Sequence, residues 1–161
     1  MLIDTHCHLD FKDFDTDRDS VVARAREKGV VRIVNVGSSI EGSRRAVELA
    51  DKYDIVYASI GVHPHDASQV TDKVIEDLKK LAKNKKVVAI GEVGLDYYRN
   101  DSAKDAQQSA FRKFIRLALE LDLPLIIHSR EADDDTISIL RECSQLPTPL
   151  RAYRPVGPEA N

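Results

Sequence analysis

Apolar and polar residues follow two rhythms along this chain. Short apolar runs recur in "MLID", "VVRIVNVG", "DIVYASIGVH", "KVVAIGE" and "LPLIIHSR". Between them, apolar residues return every three or four positions, as on one face of a helix. In "DRDSVVARAREKG" the apolar residues are Val21, Val22 and Ala25, with Gly29 as a stop. In "DKVIEDLKKLAKN" they are Val74, Leu78, Leu81 and Ala82. "SIEGSRRAVELADKY", "KDAQQSAFRKFIRLALELD" and "DDTISILREC" complete the set. The pattern predicts strands beginning near residues 2, 31, 55, 87 and 124, each followed by a helix. Five strand–helix units in series are the rhythm of a parallel sheet. Nearly continuous apolar strands lead us to expect cover on both faces. An open doubly wound sheet and a segment of a (β/α)8 barrel both fit. The lack of a glycine-rich loop after the first strand weakens the dinucleotide-binding version of the former.

Composition narrows the class. The 161 residues fit one domain, with a 42% hydrophobic and a 32% charged share and a formal net charge of -3. That balance excludes a nucleic-acid-coating protein but not a nuclease, because local cations can hold phosphates. No apolar run approaches membrane-spanning length, so no membrane partner is expected. The two cysteines, Cys7 and Cys143, have no paired-ligand spacing. They read as reduced thiols of a cytoplasmic protein, Cys7 being a packing residue. Residues 147 to 161, "PTPLRAYRPVGPEAN", hold four of the six prolines and read as an irregular tail.

Candidate chemistry lies at the strand ends. "IDTHCHLD" puts His6 and His8 two apart, on the same face of a strand, with Cys7 on the other. "IGVHPH" supplies His63 and His65, "AIGEVGLD" supplies Glu92 followed by Asp96, and "PLIIHSR" supplies His128 and Arg130. Every histidine falls at or just past the C-terminal end of a predicted strand, the end where parallel α/β folds bind ligands. Converging His and Glu residues point to a metal site. A turn role is equally open for His65. Arg130 is open to pairing with Glu131 or Asp133, or to holding phosphate with its planar fork.

The four ordered motifs "IDTHCHLD", "IGVHPH", "AIGEVGLDYY" and "LPLIIHSREA" resemble those of the TatD family of metal-dependent hydrolases and deoxyribonucleases. The likeness runs from residue 2 to about residue 146. It implies the N-terminal part of a TIM (β/α)8 barrel over residues 1–146 and a two-metal centre of Mg2+, Mn2+ or Zn2+. By that resemblance His6 and His8 belong to the first metal, Glu92 is catalytic and bridges both, and His128 binds the second. His63 would face the substrate phosphate; Arg130 is a second candidate phosphate contact by its own planar fork rather than by the resemblance. Amidohydrolases that share the paired histidines commonly use a carbamylated lysine as the bridge; Glu92 stands in that place here. The implied reaction is hydrolysis of DNA phosphodiester bonds by water activated between two cations.

The likeness breaks between Pro147 and Leu150. The family's further histidine and later aspartate have no counterpart in this sequence, as after a truncation or a change of reading frame. The sequence therefore leads us to expect an incomplete barrel, a weak second metal site and impaired activity. A non-catalytic metal-binding fragment, or a split-barrel piece that associates with another chain through its open edges, is the alternative.

Overall fold

The computed structural model describes residues 1–99 and 101–144. The expected irregular tail lies outside the described residues, as does the end of the partial barrel at residue 146. The elements alternate without exception: β1 (Leu2–Cys7), α1 (Arg18–Glu27), β2 (Val30–Val36), α2 (Ile40–Lys52), β3 (Val56–Ile60), α3 (Asp72–Leu81), β4 (Val87–Asp96), α4 (Lys104–Leu121), β5 (Leu125–Arg130) and α5 (Asp133–Ser144). Short 3-10 segments, Lys12–Phe14 and Pro64–Gln69, add to the predicted set. Local chemistry sets several boundaries. Ser39 caps α2 by accepting the Gly42 N–H at 3.0 Å, and Thr71 caps α3 by accepting that of Val74 at 3.3 Å.

All four strand pairings are parallel, and the sheet order is β1-β2-β3-β4-β5. A doubly wound sheet reverses direction after its first strands. This one never does, and it curls into part of a TIM-type barrel with its helices outside.

The core lies between sheet and helices. Val56, Ala58 and Ile60 of β3 are fully buried, as are Leu78 of α3 and Phe111 and Ile115 of α4. The expectation of two covered faces holds there but fails at the outer strands. Leu2 and Ile3 of β1 are 58% and 37% exposed, and Ile127 of β5 is 39% exposed. Among the described residues each outer strand has a neighbour on one side alone, so its apolar sequence does not bring burial with it.

Three buried polar straps tie loops and strand ends to their surroundings. Beyond β1, the backbone N–H of Asp10 donates to Asn35 Oδ1, and Asn35 Nδ2 donates back to Asp10 Oδ1 at 3.0 Å. Beyond β3, the Ser43 hydroxyl of α2 accepts the Gly61 N–H at 3.0 Å and donates to the Gly61 carbonyl. At the end of β4, Gln107 of α4 accepts the Asp96 N–H at 2.8 Å and donates to the carbonyls of Asp96 and Ser102. Gly94 permits the close approach of β4 to β5: a Cβ there would lie 2.1 Å from the His128 carbonyl oxygen. Its φ of +143° also disfavours any side chain.

Two stability outcomes follow from this packing. Phe111→Ala empties a fully buried site and should lower the unfolding free energy by ~3–5 kcal/mol. Gln107→Leu leaves the backbone groups of Asp96 without partners, at a cost of ~1–3 kcal/mol for each unsatisfied group. Urea denaturation followed by circular dichroism checks both; an unchanged midpoint for Gln107→Leu would mean that the strap adds no net stability.

Candidate metal centre

The ends of β1, β3, β4 and β5 bring five histidines and two carboxylates to one rim of the sheet. His6 is the second-last residue of β1 and His8 follows it. His63 opens the turn beyond β3. Glu92 and Asp96 sit on β4, and His128 on β5.

Glu92 lies between two groups of rings. Its Oε2 is 3.5 Å from His6 Nε2 and 4.0 Å from His8 Nε2. Its Oε1 is 3.1 Å from His128 Nδ1, which in turn is 3.2 Å from His63 Nε2. The donor atoms of His6, His8 and Glu92 all lie within 4.8 Å of one another, and so do those of His63, Glu92 and His128. Glu92 is thus common to two candidate three-donor clusters.

The surroundings turn the rings. His8 Nδ1 donates to the Val36 carbonyl at 2.8 Å, which leaves Nε2 facing Glu92. Phe11 stacks on the same ring at a centroid distance of 4.8 Å. His63 Nδ1 accepts the His65 backbone N–H at 3.3 Å, so its Nε2 points at His128. Asp96 Oδ2 lies 2.8 Å from His65 Nε2 and 3.0 Å from His128 Nε2.

Electrostatics follow the packing. Burial pushes the His63 pKa down to about 4, helped by the neighbouring charges of His128 and His65. Burial opposes ionisation of Glu92, but the His128 hydrogen bond and the His6 and His63 charges outweigh it and hold the carboxyl below its ordinary value. For Asp96, too, burial is outweighed, first by the Arg99 backbone N–H and then by His65 and His128, and the carboxyl is lowered strongly. The His128 pKa is raised, first by its bond to Glu92, against burial, and then by Asp96.

This donor set fits divalent cations. Neutral imidazole nitrogens and carboxylate oxygens are acceptors, and acceptors crowded within 4.8 Å repel unless a proton or a cation lies among them. The side chain of Glu92 is 14% exposed, so water does little to relieve that repulsion.

The expected residues His6, His8, Glu92 and His128 come together here. His63, expected to face phosphate, lies beside Glu92 and His128 in the second candidate group, but with Nδ1 accepting the His65 N–H its Nε2 carries the ring proton and points it at His128. Arg130 is exposed two residues beyond His128, its guanidinium 3.9 Å from the centre of the Tyr98 ring. Among the described residues it forms no ion pair with Glu131 or Asp133. Cys7 packs: its thiol lies 3.6 Å from the Val34 carbonyl, and burial pushes its pKa up to about 12. Sequence reasoning noted Asp96 without a role and left His65 open to a turn. A legible signal existed, because Glu92 and Asp96 are four apart in a strand and so share a face.

Comparison with known proteins gives the family and the fold. Residues 3–151 match the family model described as TatD related DNase. A metal-dependent hydrolase of Bacillus subtilis, YabD, is 47% identical over 142 residues, covering 88% of this chain and 56% of that protein. A protein of Cronobacter sakazakii named 3'-5' ssDNA/RNA exonuclease TatD is 41% identical over 139 residues, covering 86% and 53%. The crystal structure of YJJV, a TatD homologue from Escherichia coli K12, superposes with a TM-score of 0.83 at 33% identity, covering 95% of this chain and 60% of that one. A TatD family hydrolase from Entamoeba histolytica superposes with a TM-score of 0.84 at 27% identity, covering 91% of this chain and 56% of that one. The chain spans about half the length of the curated relatives it matches.

His8→Ala removes one of three donors from the first cluster and leaves the buried Val36 carbonyl without its partner. Equilibrium dialysis against Zn2+ should show at least a tenfold loss of affinity at that cluster. Stoichiometric retention by a variant carrying both His6→Ala and His8→Ala would refute the assignment.

Proposed function

From the premise that this chain belongs to the TatD family of metal-dependent hydrolases, we propose that it hydrolyses phosphodiester bonds of nucleic acid, DNA foremost, with two divalent cations. The observation that carries the reading is the single carboxylate, Glu92, common to two His-containing clusters at the ligand-binding end of a parallel sheet. His6 and His8 with Glu92 would hold one cation; His128 with Glu92 would hold the other, with His63 beside them. Bound there, Mg2+, Mn2+ or Zn2+ would supply Lewis acidity to the phosphoryl group and acidity to an attacking water.

The chain's own residues do the remaining work. Glu92 keeps its negative charge between the clusters because the surrounding imidazoles favour its ionised form. As the ligand shared by both clusters, its charge would help hold the cations that activate the water. Arg130 presents a planar fork to a phosphate oxygen, and stacking on Tyr98 limits its rotation. Phe11, 43% exposed and stacked on His8, and Tyr98, 56% exposed, offer ring faces to unpaired bases. The name of the Cronobacter sakazakii relative, an exonuclease on single-stranded DNA and RNA, agrees with such a substrate.

A second reading concerns assembly. β1 and β5 are the outer strands, and Leu2, Ile3 and Ile127 are exposed on them. Unpaired strand edges with apolar side chains are templates for pairing, here with a second copy of this chain. Light scattering on the purified chain is expected to give a mass above the monomer. A monomer at micromolar concentration would remove this reading.

The activity is tested with labelled single-stranded and duplex oligonucleotides in Mg2+, Mn2+ or Zn2+. Cleavage is expected to vanish with a chelator, to fall to the chelated level in His6→Ala, and to slow with Arg130→Ala chiefly through weaker substrate binding. A His6→Ala protein as fast as the parent would assign the cleavage to a contaminant.

A further inference from the structure

We propose that Asp96 is a positioning residue that fixes which nitrogen of His128 faces the second cluster. The inference rests on reading Glu92 and His128 as ligands of a cation in that cluster.

Asp96 is 1% exposed, and its two oxygens divide their work. Oδ1 accepts the backbone N–H groups of Tyr98 at 3.0 Å and Arg99 at 3.1 Å, closing the turn after β4. Oδ2 faces two rings, His65 Nε2 at 2.8 Å and His128 Nε2 at 3.0 Å. A carboxylate can accept but not donate, so both rings must present Nε2–H to it. A His128 ring with its proton on Nε2 turns the Nδ1 lone pair the other way. With a cation bound there, that lone pair would face it beside Glu92 Oε1 and His63 Nε2, 3.1 Å and 3.2 Å away; without one, a proton on Nδ1 makes the bond to Glu92.

The carboxylate is itself held. The Asp96 backbone N–H and carbonyl are bound by Gln107, a fully buried residue of α4. The path from helix to cluster is therefore continuous: Gln107 sets the Asp96 backbone, Oδ1 sets its side chain, and Oδ2 sets the two rings. A ligating histidine tied through its far nitrogen to a carboxylate gains both orientation and basicity. His65 needs no donor role of its own in this arrangement. Its ring occupies the other side of Oδ2, and its backbone N–H holds His63.

Asp96→Asn separates this role from simple closure of the turn. The amide oxygen still accepts from Tyr98 and Arg99, and the volume hardly changes. The amide nitrogen, however, now faces the rings as a donor. His128 Nε2 must then accept, which moves the ring proton to Nδ1 and blocks the lone pair.

The experiment uses the full chain loaded with Zn2+. Affinities come from calorimetric titration, and histidine protonation comes from long-range 1H–15N spectra. The parent is expected to show His128 with zinc on Nδ1 and a proton on Nε2. Asp96→Asn should lose ~10–100-fold in zinc affinity at the second cluster, and more there than at the cluster of His6, His8 and Glu92, whose rings do not touch Asp96. Unchanged affinity and an unchanged His128 spectrum in Asp96→Asn would overturn the inference while leaving the two-cluster reading intact. A parent that binds no zinc at the second cluster would overturn both. Should the variant fail to fold, the parent spectrum alone decides: a His128 proton on Nδ1 refutes the proposal.

Discussion

The repulsion between acceptors around Glu92 is the constraint on which the rest of this rim depends. Four imidazoles converge on or beside one half-buried carboxylate, and each presents a nitrogen toward the others. In water such groups would separate. Here the strands forbid it, because each ring is anchored to a different strand end and the strands are locked in one sheet. The arrangement persists with protons among the acceptors or with cations in their place. Such a donor set suits a divalent cation, and it is brought together by the fold rather than by any one ligand.

The fold can hold the tension because its strand ends are not loose. Asn35, Ser43 and Gln107 are polar residues with no exposure, and each binds backbone groups at or just beyond a strand end that leads into the site. Buried polar groups of this kind are costly unless satisfied. Satisfied, they define one geometry where an apolar contact would tolerate several. Gly94 adds the complementary device. By carrying no Cβ it lets β5 approach until His128 stands against Glu92. Helix, strap and strand thus act in series, and the outermost member of each series is a ring nitrogen.

Much of this was legible in the residues. The five strand–helix units were visible in the change of hydrophobic period, and helix limits fall close to their capping and stop residues. The convergence of His6, His8, Glu92 and His128 could be read because all four follow or end apolar runs, and parallel strands bring such positions together. What escaped has physical reasons. Burial of β1 and β5 was misjudged because an apolar run records what a strand can bury, not whether a neighbour is there. The full length of β4 escaped because Val93–Asp96 pair with β5 only after a register shift beyond Ile90. The role of Asp96 escaped because its partners lie 31 and 32 residues away on other elements. Local pattern cannot report a hydrogen bond across a sheet.

The rings are not equally constrained, and the difference has a consequence for how the site works. His8 is tied to the Val36 carbonyl, His63 to the His65 N–H, and His128 to Asp96. His6 alone among the cluster histidines has no such hydrogen bond on its far nitrogen among the described residues, and its side chain is 42% exposed. A ligand held through its far nitrogen loses little freedom when it binds, whereas one without that bond must be ordered at that moment. His6 is therefore the adjustable member. Under the proposed two-cation reading, it would adjust to a bound cation while the rings tied through their far nitrogens hold the frame.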